Sequence, residues 1–186
     1  MMGYDPTGTV DWGGVIIGIV IVVVGVAVTA VSIAGENAIG IEAGVAVICT
    51  GAAMIDAAAR ETSMVIDLSV SIPFLVAYVK LGESFIIDFS ANEVNSYHHL
   101  GGGVGANRGL SYSVGKPENY ENPGDYSKGF WDANGGYGVG FDHCWGTNDP
   151  YNSATKASCI SFSFPASAGF GVGYDYYSEP SRLFGW

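Results

Sequence analysis

The 186-residue chain has a formal net charge of -11, 28 glycines and only seven Lys or Arg side chains. An acidic protein is disfavoured at phosphate backbones, whose binding relies on Lys and Arg displacing condensed counterions, so nucleic acid is not an expected partner. The basic residues are also unevenly placed: the first is Arg60, which separates an apolar N-terminal third from an acidic remainder rich in Gly and Tyr.

From Trp12 to Gly35 no side chain is charged, and the centre is almost continuous Val, Ile and Gly. As a helix this stretch would be about 36 Å long, enough to cross a hydrocarbon core of about 30 Å. Asp5 and Asp11 precede it, where a secretory signal would carry positive charge. A buried core helix or a pair of buried strands is the alternative, because Val and Ile suit strands at least as well. After a polar break containing Glu36 and Glu42, a second apolar stretch runs from Ala43 to Ala59, interrupted only by Asp56. The two form the arms of an expected helical hairpin with one or two membrane spans. Gly14 and Gly18, and Gly40 and Gly44, stand four apart, a spacing that lets helix backbones approach closely in a membrane.

Beyond Arg60 the apolar residues take a period of two. Met64, Ile66, Leu68, Val70 and Ile72 alternate with Val65, Asp67, Ser69 and Ser71, the pattern of a half-buried strand. Similar runs occur at 85–89, 110–114, 137–141, 160–164 and 170–176. Strands separated by Gly, Pro, Asn and Asp predict an antiparallel meander, sandwich or small barrel, and an α+β protein as a whole. The segment 116–125, with Pro117 and Pro123, reads as an exposed excursion. Glycine alternating with aromatics also marks outer-membrane barrels. Their strands need about 9–11 residues, however, and these runs are shorter. The expected division is 1–12 as a junction remnant, 13–60 as a membrane or translocation segment, and 61–186 as the β-rich domain.

Candidate chemistry is sparse. Imidazole titrates near neutrality and a carboxylate can orient it, so His98 or His99 with Asp142 and His143 form the candidate catalytic set. His98, His143, Cys144 and Cys159 could supply zinc ligands, but their spacing matches no common signature, so neither metal nor cofactor is expected. Cys144 and Cys159 are a candidate disulfide, while Cys49 reads as a small hydrophobe. The run Gly101–Gly109 lacks the Gly-Lys-Ser/Thr ending of a phosphate loop and reads as a glycine turn.

Tyr4-Asp5-Pro6-Thr7-Gly8 resembles the junction at which an RHS-repeat core meets a variable C-terminal toxin. Leu110-Ser-Tyr-Ser-Val-Gly115 and the ending Gly171-Val-Gly-Tyr-Asp-Tyr-Tyr177 are similar to the bacterial polymorphic toxin type 23 domain. The resemblance implies an effector of interbacterial competition, carried by an RHS shell to a target cell and neutralised in its producer by a cognate immunity protein. Three expectations stand side by side: insertion into the target-cell membrane, whose lipid bilayer would be a direct partner; an enzymatic β domain that the apolar segment helps translocate; and a membrane-anchored envelope protein.

Overall fold

The structure, a computed structural model, describes residues 10–60, 62–146, 156–164 and 168–185, and only the backbone of residues 156, 164 and 168. The RHS-like motif at 4–8 lies outside the described residues. The uncharged stretch forms α1 (Trp12–Ala34) and the second apolar stretch forms α2 (Ala38–Ala59). The Asp11 carboxylate accepts from the Gly14 amide at 3.1 Å. The Asn37 side chain accepts from the Gly40 amide at 3.2 Å. Both contacts satisfy donors that a helix start leaves bare. The Asn37 cap starts α2 ahead of Ala43, so Glu42 lies inside the helix.

Both helices are apolar nearly all round, so their contact is set by size. Gly14, Gly18, Gly25 and Ser32 face Ala58, Gly51, Gly44 and Gly40 in antiparallel order. Steps of four and seven residues in both rows keep these small residues on one seam. A Cβ on Gly51 would lie 2.6 Å from the Gly18 carbonyl oxygen, and one on Gly25 would lie 2.9 Å from that of Gly44. The glycines singled out in the sequence therefore do belong to the interface, paired across the hairpin. Thr29 and Thr50 donate their hydroxyls back to the Gly25 and Ala46 carbonyls, each at 2.8 Å. The Thr29 hydroxyl is thus satisfied within its own helix, while that of Thr50 also pairs with the Tyr112 hydroxyl of the β domain.

The remainder forms nine strands: β1 (Ser63–Phe74), β2 (Ala77–Asp88), β3 (Glu93–Gly105), β4 (Gly109–Glu118), β5 (Lys128–Tyr137), β6 (Val139–Gly146), β7 (Lys156–Phe164), β8 (Ala168–Tyr177) and β9 (Ser181–Gly185). They pair in the order β2-β1-β4-β7-β6-β5-β8-β3, and β3 pairs back onto β2, closing an eight-stranded antiparallel barrel. β9 extends the lane beside β3 that β8 leaves empty. Of the three expected β architectures, the chain adopts the barrel.

Three local expectations change. Residues 137–141 are a hairpin rather than one strand: Tyr137 pairs with Val139 around Gly138, whose φ of 66 suits glycine. The glycine run 101–109 is a turn only at residues 106–108, because Gly101–Gly105 forms the end of β3 and Gly109 starts β4. The ring strands run 8 to 13 residues, longer than their alternating cores suggest, because the alternation fades where glycines replace side chains.

An eight-stranded barrel is just wide enough for side chains to fill. At the end carrying the longer connections, Val65, Ile86, Tyr97, Phe130, Cys144, Ala157, Cys159 and Tyr177 form an apolar core. The 116–125 excursion leads into a short 3₁₀ turn, Pro123–Tyr126, which folds Tyr126 into that mouth instead of standing free in solvent. The Tyr126 ring lies 5.1 Å from Phe130, 5.2 Å from Tyr177 and 5.4 Å from Tyr97, and Tyr97 Oη donates to the Pro123 carbonyl at 2.8 Å. Towards the end with short turns the inward residues become polar. Outside, α2 lies against β1, β4 and β7, where Ala46, Ala57 and Ala58 meet Met64, Val114 and Phe162.

Gly51→Leu should drive a side chain into the α1 backbone and cost at least the roughly 1–3 kcal/mol of an overpacked core. Val23→Leu, on the exposed face, should be nearly neutral. Thermal unfolding of both variants in detergent checks the seam.

Candidate functional site

The polar half of the lumen holds the chain's main cluster of buried charge. In register, Lys80 of β2, Gly101 of β3 and Asp175 of β8 lie side by side. Because Gly101 has no side chain, Lys80 reaches over β3 to Asp175, Nζ to Oδ2 at 2.8 Å; a Cβ at Gly101 would collide with Asp175. Gly82 serves the same purpose one row away. It lies between Ser69 and His99, and a Cβ on it would fall 2.6 Å from His99 Nε2. His99 Nε2 thus reaches Asp67 Oδ2 of β1 at 2.8 Å, while Ser84 donates to the same carboxylate oxygen at 2.6 Å. His99 Nδ1 stands 3.8 Å from Asp175 Oδ2, so Asp67, His99, Asp175 and Lys80 form one chain of contacts, with the imidazole stacked on Tyr177 at 4.8 Å.

A second group lies beside it. Tyr78 Oη approaches Asp132 Oδ2 at 3.5 Å, and Asn134 donates to the same oxygen at 3.0 Å. Gly103 and Gly173 leave room for the inward Tyr78 ring: a Cβ at either would come within 2.8 Å and 2.6 Å of its hydroxyl. Lys80 lies within electrostatic reach of Asp67, Asp132, Asp142 and Asp175. Four carboxylates around one ammonium make its placement the main electrostatic constraint on the lumen.

The structure does not gather the candidate catalytic residues. Neighbours on a strand point to opposite faces, so His99 enters the lumen and His98 lies outside, 3.3 Å from Glu83. His143 is also outside, with Nδ1 2.9 Å from Ser158 Oγ and its ring 5.8 Å from Trp145. Asp142 points inward, and of the three histidines only His99 shares the lumen with it. The imidazole of His99 is 0% exposed, so no external substrate reaches it. The polar pocket beyond, lined by Ser69, Ser71, Ser111, Asn134, Asp142 and Ser161, has about 40 Å³ of room. At about 10–15 Å³ for each, that space takes about three waters. Cys144 and Cys159 are buried free thiols in the apolar core, not a bridge. Among the described residues no group of three or more His, Cys, Asp or Glu is placed to hold a metal ion.

Sequence reasoning missed Asp67, Lys80 and Asp175. Along the chain each is only the polar member of an alternating run or belongs to no pattern at all. The available signal is an inward glycine lying in register between two inward charges, which becomes visible only once strand pairing is known. Outside the strands, burial is the main cause that pushes the Tyr120 phenol up to about 12, and burial also raises Tyr126 well above its ordinary value.

No protein-family model and no curated protein matches this chain. A β-barrel-like uncharacterized protein from Brucella abortus is similar at 11% identity, with a TM-score of 0.40, across 75% of this chain and 84% of that one.

Lys80→Met should cost about 3–5 kcal/mol, because it leaves buried carboxylates without their ammonium, and adding Asp175→Asn should recover part of the loss. Chemical denaturation of the single and double variants measures this coupling. Because folding raises the Tyr126 pKa, the folded state keeps a proton that the unfolded chain loses above about pH 10, so stability falls as pH climbs beyond that point. Tyr126→Phe should lose stability less steeply between about pH 10 and about pH 12, as read from melting temperatures across that range.

Proposed function

We propose that the chain is a membrane-inserting toxic effector of interbacterial competition whose α1–α2 hairpin enters the bilayer of the target cell. The observation that carries this reading is the exposure of the hairpin's apolar flank. Ile16, Val20, Val23, Val24, Val26 and Val31 are all exposed, although α2 and the barrel already cover the other side of α1. A core helix would be mostly buried, whereas only 17% of the most apolar window of either helix is buried. In water this surface would be a large unfavourable apolar patch; in hydrocarbon it is at home.

Length supports the same reading. Helices of 23 and 22 residues extend about 35 Å and about 33 Å, against a core of about 30 Å. The small-residue seam needs no hydrophobic driving force, since backbone packing holds helices together in lipid. The toxic role rests on the resemblance of residues 4–8 and of the β-domain segments, which supplies the cognate immunity protein and the RHS shell as partners. An enzymatic role finds less support, because the one inward histidine is sealed from solvent.

Replacing Val20, Val23 and Val24 together by Asp should cost insertion about 8–10 kcal/mol, at about 2.5–3.5 kcal/mol for each charge near the bilayer centre. That variant should lose dye release from lipid vesicles and toxicity in target cells, whereas His98→Ala with His143→Ala should retain both. Undiminished release and killing by the Asp variant would overturn the proposal.

A further inference from the structure

The barrel wall changes character partway along its axis. In its upper part, near the long connections, the lumen is apolar, and the outside carries Glu83, His98, Lys116 and His143 where the change begins. In its lower part, towards the short turns, the polarity is that of a wall turned inside out. Inward positions there hold Asp67, Ser69, Ser71, Lys80, Ser113 and Asp175, all buried. Outward positions on the same strands hold Leu68, Val70, Ile72, Leu81, Val172 and Tyr174, all exposed. Among the described strand residues below the change, no outward side chain is charged.

The boundary is a row of polar residues fixed by strand register. His143 pairs with Ser158, and Ser158 with Lys116, along one side of the barrel. On the other side Glu83 pairs with His98, whose amide donates to the Ser178 hydroxyl oxygen at 3.1 Å. The row therefore stands on both flanks of the ring at the level where the lumen changes polarity. In water, a strand buries its apolar side and exposes its polar side; a barrel in lipid does the opposite.

We infer that the lower barrel wall is itself a lipid-facing surface, with the Glu83, His98, His143, Ser158 and Lys116 row at the headgroup level. This goes beyond hairpin insertion and uses different residues. From Glu83 to the β1–β2 turn at Leu75, eight residues at about 3.3 Å and a tilt of about 40° give a depth of about 20 Å, near the roughly 25 Å apolar band of membrane barrels. The turn itself is Leu75 and Val76, both exposed, and Arg108 in the connection after β3 places a positive charge at the far end of the belt. Trp131 and Tyr174, in edge contact at 5.3 Å, lie on the outer wall. Membrane barrels carry aromatic residues on that wall as well.

A groove of about 360 Å³ between α2 and β1, β4, β6 and β7 lies at the level of the row, where Lys116 and Ser158 join Met64, Val114, Phe141 and Ile160 in its lining. Closure of the ring also leaves no unpaired strand edge in the belt, and this is the condition for a sheet to sit in hydrocarbon.

The intact 186-residue chain can be tested in phosphatidylcholine–phosphatidylglycerol vesicles containing a phospholipid with a carbene precursor in its acyl chain, with adducts mapped by mass spectrometry. Adducts at Leu68–Phe74, Val79–Leu81 and Phe170–Tyr176 should exceed those at Glu93–Ser96 and Lys116 by about tenfold or more, because only the apolar belt of a membrane barrel meets the acyl chains. Adducts confined to α1 and α2 would overturn the inference and leave hairpin insertion standing. Adducts on the barrel but not on the helices would support it and remove the hairpin proposal. A chain without adducts, including one whose wall is covered by a second copy, would remove both.

Discussion

Closing eight antiparallel strands into a ring leaves a lumen about one side chain deep, and much of this protein follows from how that space is filled. In the polar half of the lumen, long inward side chains lie across gaps left by residues without a side chain. The gaps are glycines in register: Gly82 beneath the His99–Asp67 contact, Gly101 beneath the Lys80–Asp175 pair, and Gly103 with Gly173 around Tyr78. They let side chains two strands apart meet, so a narrow barrel encloses charge that adjacent strands alone could not pair. The cost of burying that charge is offset only while the contacts hold.

This filling leaves little room for a substrate. The aromatic residues around Tyr126 close one mouth, the Lys80 and Asp175 row crosses the middle, and the remaining pocket takes a few waters. His98 and His143 stand outside, apart from the inward carboxylates. The large exposed surfaces are the outer ones. There the hairpin and lower wall present Val, Ile, Leu and Phe, joined by the groove beside α2. Hairpin insertion and a lipid-facing wall would use these adjoining surfaces, and a single bilayer would accommodate both.

Much of the architecture is legible along the chain. Uncharged length and hydropathy mark α1 and α2, and Gly14, Gly18, Gly40 and Gly44 already carry the small-residue signal of their seam. Alternation marks β1 and the cores of several later strands. It fades at Gly101–Gly105 and Gly135–Gly140, where glycine has no side chain to show which face is buried, so the end of a strand reads as part of the turn after it and a hairpin reads as a strand. The 116–125 segment carries ordinary loop signals because Pro, Asn and Gly report local backbone geometry. They do not report that Tyr126, just beyond, fits a mouth built by Tyr97, Phe130 and Tyr177.

The sequence by itself determined the change at Arg60 from uninterrupted apolar length to a two-residue period, because side-chain alternation is a local consequence of strand geometry. It also determined which residues share a face of one strand. Which face would be the inside was left open, since alternating Val and Ser fit a barrel of either polarity. Ring closure decided that: by placing Asp67, Lys80 and Asp175 within contact across intervening glycines, it put the polar face in the lumen and Leu68, Val70 and Val172 outside. That choice depends on which strands pair and in what register, and such contacts between residues far apart in the chain exist only after it has folded.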